Sequence, residues 1–79
     1  MYYVYILKCA DDTLYTGITV DLERRVKEHN TSSLGAKYTK VRRPVVLVYH
    51  KKFADRSSAT NEEMRIKKMS REEKISLFI

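Results

Sequence analysis

Few residues of this 79-residue chain are of types, and in places, that could do chemistry. They reduce to two tyrosines, Tyr5 and Tyr15, one arginine, Arg25, one histidine, His29, and one glutamate of the adjacent pair Glu62 and Glu63. Phenols and imidazoles move protons, a guanidinium binds an oxyanion, and a carboxylate takes a hard cation. Other chemistries find no support. Cys9, His29 and His50 lack the spacing of a zinc site, and neither a glycine-rich phosphate loop nor a Ser-His-Asp pattern occurs. Each candidate also has an ordinary reading. Strand tyrosines are usually packing residues, Arg25 can carry its charge to a helix rim, and His29 can sit favourably at a helix C-terminus. Glu63 can form a solvated pair with Lys67 one helical turn on. Cys9 reads as a small buried hydrophobe and His50 as a surface residue.

The elements that must position these residues follow from the local patterns. Residues 2–8, YYVYILK, are aromatic and β-branched and predict a strand, with Tyr3, Tyr5 and Leu7 on one face. Asp11-Asp12 forms a turn, since Asp tolerates the left-handed region. Residues 13–19 alternate strictly, with Leu14, Thr16 and Ile18 on one face and Thr13, Tyr15, Gly17 and Thr19 on the other. The two runs predict an antiparallel hairpin, and Gly17 beside Tyr15 allows a close approach. An acidic first turn opens a helix over residues 21–30. Leu22 and Val26 define its apolar face, His29 falls on the same stripe, Arg25 lies at its edge, and Arg24 points away. Residues 31–43 are a polar loop. After Pro44, VVLVYHK predicts a third strand, expected to be more buried than the second. Ser57 or Ser58 opens a helix to about Lys68, whose inner face is marked by Ala59 and Ile66. Both Glu62 and Glu63 fall within the width of that face, and the helical wheel does not choose between them. Ser70-Arg71-Glu72-Glu73 is a capping box that starts a last helix running to the C-terminus. The order β-β-α-β-α-α predicts an α+β fold: a three-stranded antiparallel sheet flanked by helices, in a single domain over residues 1–79.

Composition bounds the setting. A chain this short buries only about 60–65% of its unfolded surface, so two lobes with a cleft between them are excluded. The longest apolar run, Val45 to Tyr49, is far short of the ~20 residues that span a membrane. The N-terminal MYYVYILKC lacks the zones of a signal peptide, and with one cysteine a cytoplasmic, reducing location is expected. Sixteen Lys and Arg against ten Asp and Glu give a net charge of +6. Residues 1–39 are balanced, five basic against five acidic, and residues 40–79 hold eleven basic against five acidic. A one-sided excess points to a polyanion, of which nucleic acid is the commonest.

The motifs, taken in order, resemble the GIY-YIG nuclease domain in its small stand-alone form. The signature halves are Tyr3-Val4-Tyr5 and Tyr15-Thr16-Gly17, with tyrosines Tyr5 and Tyr15 ten residues apart. The run Asp21-Leu22-Glu23-Arg24-Arg25-Val26-Lys27-Glu28-His29-Asn30 is similar to the helix motif. Gly35-Ala36-Lys37-Tyr38-Thr39, Arg42-Arg43-Pro44-Val45, Ala54-Asp55-Arg56-Ser57 and then Glu63 with Ile66-Lys67-Lys68 continue the likeness over nearly the whole chain. Tyr3 replaces the glycine of the first half, and Asp12 the usual turn glycine. Thr60 and Asn61 stand where stronger helix formers are usual, and an asparagine found on a later helix of some restriction-enzyme relatives has no match.

The resemblance implies a divalent-metal-dependent endonuclease that hydrolyses phosphodiester bonds of DNA by attack of water, with RNA and branched or single-stranded DNA as further substrates. Glu63 would hold one Mg²⁺ or Mn²⁺, weakly without substrate. Tyr5 would sit beside the attacking water and help take its proton, Arg25 would contact the scissile phosphate, and Tyr15 and His29 would orient water and phosphate. Lys37, Arg42, Arg43, Lys51, Lys52 and Lys67 are expected to position the nucleic acid by its phosphates. No obligatory protein partner and no membrane are expected. The alternatives are a non-catalytic basic nucleic-acid-binding module on the same fold and a protein-interaction domain with incidental charge.

Overall fold

A computed structural model describes residues 1–79. The elements run β1 (Tyr2–Lys8), β2 (Leu14–Thr19), α1 (Leu22–Thr31), α2 (Lys37–Lys40), β3 (Val46–Phe53), α3 (Arg56–Lys67) and α4 (Arg71–Ile75). The strands form one antiparallel sheet in the order β2-β1-β3, which is the expected α+β architecture with one added helical turn.

Because side chains alternate across a strand, the central strand β1 feeds two cores. Val4 and Ile6 pack with Ala59 and Ile66 of α3, joined by Met69, Leu77 and Phe78. Tyr5 and Leu7 face the other way and pack with Cys9, Val45, Tyr15, Leu22 and Val26. The sheet is therefore covered by α3 and the C-terminal segment on one face and by α1 on the other. β1 is buried on both, which is why YYVYILK reads as an almost continuous apolar run. The hairpin turn works as expected: Asp12 takes φ of 71°, and Asp11 accepts hydrogen bonds from the backbone and hydroxyl of Thr13.

Four expectations are corrected. β3 is not more buried than β2: none of its residues is fully buried, and Val46 is 55% exposed. It flanks the sheet beyond β1, and a register shift opposite Ile6 and Leu7 bends it there. The cap of α3 is Asp55, whose carboxylate accepts from the Ser58 amide at 2.7 Å, rather than Ser57 or Ser58. The polar loop after α1 contains α2, a single turn too short to show a period. The capping box of Ser70 and Glu73 forms, but α4 stops at Ile75, short of the C-terminus.

Candidate active site

The site grows from one pairing in the sheet. Tyr5 lies opposite Gly17, and its ring covers the space that a side chain there would fill. A Cβ on Gly17 would lie 2.6 Å from Tyr5 Cζ and 3.1 Å from Cε2. Glycine is required by this approach, not by backbone conformation.

The phenol end of Tyr5 meets α1. Its Oη is 2.8 Å from Nε2 of His29, which is wholly buried. On the far side of the imidazole, Nδ1 lies 2.9 Å from Thr39 Oγ1 and receives the Ala36 N–H at 3.3 Å. His29 thus bridges the sheet to the loop around α2. Gly35 allows this, since a Cβ there would be 2.7 Å from the Glu28 carbonyl and 2.9 Å from His29 Cα. The Tyr15 ring stands edge-on to His29 with centroids 5.2 Å apart, and stacks on Tyr38 at 5.9 Å. The guanidinium of Arg42 covers Tyr38 at 3.9 Å. Arg25 Nη1 donates to Glu28 and to the Leu34 carbonyl, each at 2.9 Å, and so fixes the guanidinium plane beside Tyr5.

Burial dominates the electrostatics. It pushes the Tyr5 phenol up to about 12, with Tyr15 and Glu63 adding to the rise and Arg25 opposing it. It pushes His29 down to about 4, with Arg25 adding and Glu28 opposing. At neutral pH the pair is a phenol and an uncharged imidazole. His29 sits in the last turn of α1 as a neutral ring bonded to Tyr5 and Thr39. A consequence for stability follows. The unfolded chain protonates His29 near pH 6.5, the folded chain only near 4, so stability is full above pH 6.5 and is lost as pH falls. Urea titrations should show a loss of about 2 kcal/mol between pH 6.5 and 5, absent in His29→Gln.

The two adjacent glutamates have different surroundings. Glu62 forms a two-pronged pair with Arg65 at 2.7 and 2.6 Å, and its charge is felt by Tyr49 on β3. Glu63 is the one whose charge reaches Tyr5, although α3 covers the opposite face of the sheet. Its carboxylate pairs loosely with Lys67 at 3.6 Å, as the ordinary reading has it. No cluster of three or more His, Cys, Asp or Glu is assembled, so Glu63, the expected ligand, would offer a metal a single carboxylate. One carboxylate fits an oxygen-seeking ion that keeps its waters and shares a substrate phosphate, as Mg²⁺ does.

The basic residues separate into different roles. Lys37 and Arg42 lie around α2, and Lys52 shares a sheet face with Tyr3 and Tyr5. Lys51 pairs across from Val4, on the α3 face, with its ammonium 5.5 Å from the Phe53 ring centroid. Lys67 is held by Glu63. Arg43 departs from expectation. Its Nε donates to the His29 carbonyl at 2.6 Å, and its Nη2 to those of Ser32 at 2.6 Å and Glu28 at 3.3 Å. It satisfies the open end of α1 and holds the backbone of His29. The sequence reading passed over Thr39, Ala36 and Tyr38 as site residues. Gly35, the one glycine in a polar loop, was the available sign that this loop packs tightly.

The three-stranded sheet thus brings two tyrosines, an arginine and a histidine together on one face. The family model of the GIY-YIG catalytic domain matches residues 1–76, and the chain belongs to that family. It is similar to a UPF0213 protein of Syntrophus aciditrophicus, 56% identical over 76 residues that make up 96% of this chain and 87% of the relative. A UPF0213 protein of Halobacterium salinarum is 49% identical over 78 residues, 99% of this chain and all of the relative. The solution structure of a UPF0213 protein from Bacillus halodurans superposes with a TM-score of 0.61 at 45% identity, over 98% of this chain and 82% of that one. No helix is long and apolar enough to cross a membrane.

Proposed function

We propose that the protein is an endonuclease that hydrolyses phosphodiester bonds of DNA with the help of one divalent metal ion. The observation that carries this reading is the Tyr5 hydroxyl, buried and held 2.8 Å from a neutral His29 beside the Arg25 guanidinium. A phenol with a pKa near 12 is a poor base in the resting protein. It becomes one only when positive charge gathers beside it, which couples proton removal to a loaded substrate. Arg25 supplies part of that charge and offers its remaining N–H groups to the phosphate, where they offset the charge that develops during attack. His29 orients the phenol, and Tyr15 closes the edge of the imidazole against water. Glu63 would hold the Mg²⁺ or Mn²⁺, which when bound neutralises phosphate charge. Lys37, Arg42 and Lys52 would position the strand, with RNA as an alternative substrate.

The test is cleavage of labelled single-stranded, duplex and branched DNA, and of RNA, with Mg²⁺, Mn²⁺ or chelator. Cleavage is expected with metal alone, and Tyr5→Phe should slow it by about 100-fold or more with binding nearly unchanged. Binding with no cleavage of any substrate would instead make the chain a non-catalytic nucleic-acid-binding module. Contact with ~5 phosphates of duplex DNA should give a log–log salt slope of about −4 to −5, and a flat response would favour a protein-interaction role.

A further inference from the structure

We propose that Thr39, acting with the Ala36 amide, is a positioning residue that keeps the ring proton of His29 on Nε2, so that Tyr5 Oη receives the hydrogen bond between them. The inference rests on the nuclease reading for its effect on turnover, but not for its effect on the imidazole.

The argument is an accounting of donors around a buried ring. Both His29 and Thr39 are wholly buried, so none of their polar atoms can turn to solvent. Nδ1 of His29 faces two neighbours, Thr39 Oγ1 at 2.9 Å and the Ala36 amide at 3.3 Å. An amide can only donate, and Nδ1 is the one acceptor that the Ala36 N–H meets. A proton on Nδ1 would oppose that N–H and leave a buried donor unsatisfied, at a cost of about 1–3 kcal/mol. The Ala36 carbonyl, by contrast, already accepts from the Thr39 and Lys40 amides at 3.1 and 3.2 Å. The Thr39 hydroxyl has a single proton and two acceptors within reach, that carbonyl, to which it can donate at 2.9 Å, and Nδ1; since the carbonyl already has two amide donors, the proton is free to turn to Nδ1. The ring proton then sits on Nε2 and points at Tyr5 Oη, 2.8 Å away.

This sense of the bond matters for what Tyr5 can do. With Oη receiving from His29 and lying beside Arg25, the oxygen is placed among groups that stabilise a phenolate. Its own proton then has no acceptor on His29 and is left for the substrate or attacking water that the nuclease reading places beside it, which offsets part of what the Ala36 amide gains. In the opposite sense, the phenol would give its proton to Nε2, and the oxygen would lose one of the donors that favour its anion.

Nitrogen-15 NMR of the intact protein with labelled histidine reads the tautomer directly. His29 in the wild type should show the Nε2–H form, with no protonation as pH falls from 7 to about 5. The charged and titratable groups around the ring are Tyr5 and Tyr15 from the sheet, Arg25 and Glu28 from α1, and Arg43 from the following loop. Thr39→Val, close in shape, should yield a mixture with a measurable Nδ1–H share, while Thr39→Ser should keep the wild-type signal. In cleavage assays Thr39→Val should lower kcat about tenfold with KM nearly unchanged, move the alkaline limb of the pH profile upward, and be rescued by Thr39→Ser. An Nδ1–H ring in the wild type would overturn the proposal even if every Thr39 variant failed to fold. So would Thr39→Val with wild-type tautomer and turnover, or Thr39→Ser falling as far as Thr39→Val. If the wild type cleaves nothing, the nuclease reading fails while the NMR result still decides the role of Thr39.

Discussion

Glu63→Ala is expected to lower metal-dependent cleavage by about a thousandfold or more, whereas Glu62→Ala, one residue away, should change it by no more than about threefold. The two side chains are equivalent in type and adjacent in sequence, so the pair is its own control for folding and net charge. Glu62 is bound by Arg65 in an exposed two-pronged pair, and such pairs contribute little to stability. Both carboxyl side chains are mostly covered, but Glu63 is held only loosely by Lys67 and is the glutamate whose charge acts on Tyr5. Removing it takes away the one carboxylate offered to a metal and leaves the phosphate-contacting cations in place. DNA binding measured in chelator should therefore stay within about threefold of wild type, and the loss should appear in turnover. Equal losses in both variants would mean that the site has been placed on the wrong side of α3.

Gly17→Ala should be strongly damaging to the site. The new Cβ would overlap the phenol end of Tyr5, and the ring must rotate away, breaking the 2.8 Å bond to His29. Overpacking of this kind costs about 1–3 kcal/mol, read as a lowered urea midpoint. Displacing the phenol should reduce cleavage by about 100-fold or more. The cause can be isolated by a second substitution. Tyr5→Leu in the Gly17→Ala background should regain part of the lost stability and none of the activity, because the two positions share one volume. If Gly17→Ala is as stable and as active as wild type, the close approach of ring and strand is not what the site depends on.

The parts of the molecule with a strong local period were legible from residues alone. The strict alternation of residues 13–19 fixed which face Tyr15 and Gly17 share, and the stripe of Leu22, Val26 and His29 placed the histidine toward the sheet. The resemblance added the roles but not the geometry. What escaped depended on distant chain segments. A wheel gives Glu62 and Glu63 nearly the same standing, and only Arg65 and Tyr49 on one side and Tyr5 on the other separate them. The third strand looked buried because VVLVY is apolar, yet only Val48, Tyr49 and Phe53 of β3 join a core, on the α3 face, and none joins the core under α1. Arg43 looked like one more surface cation, and nothing local distinguishes it from Arg42. It is the carbonyls of Glu28, His29 and Ser32, brought to it by the fold, that turn it inward.

The double burial of β1 has a consequence for how such a protein can change over time. Enzymes that carry their reactive groups on loops can acquire new substrates by editing those loops while the scaffold stands still. Here Tyr5 is among the largest fully buried side chains and lies between Val4 and Ile6, which anchor the opposite core. A mutation that adjusts the reagent also disturbs the keystone, so descendants are confined to a narrow set of sequences along this strand. Diversification is left to the periphery, where exposed cations such as Lys37 and Lys52 can vary at little cost to folding. Lineages of this domain should differ in what they grip long before they differ in how they cut.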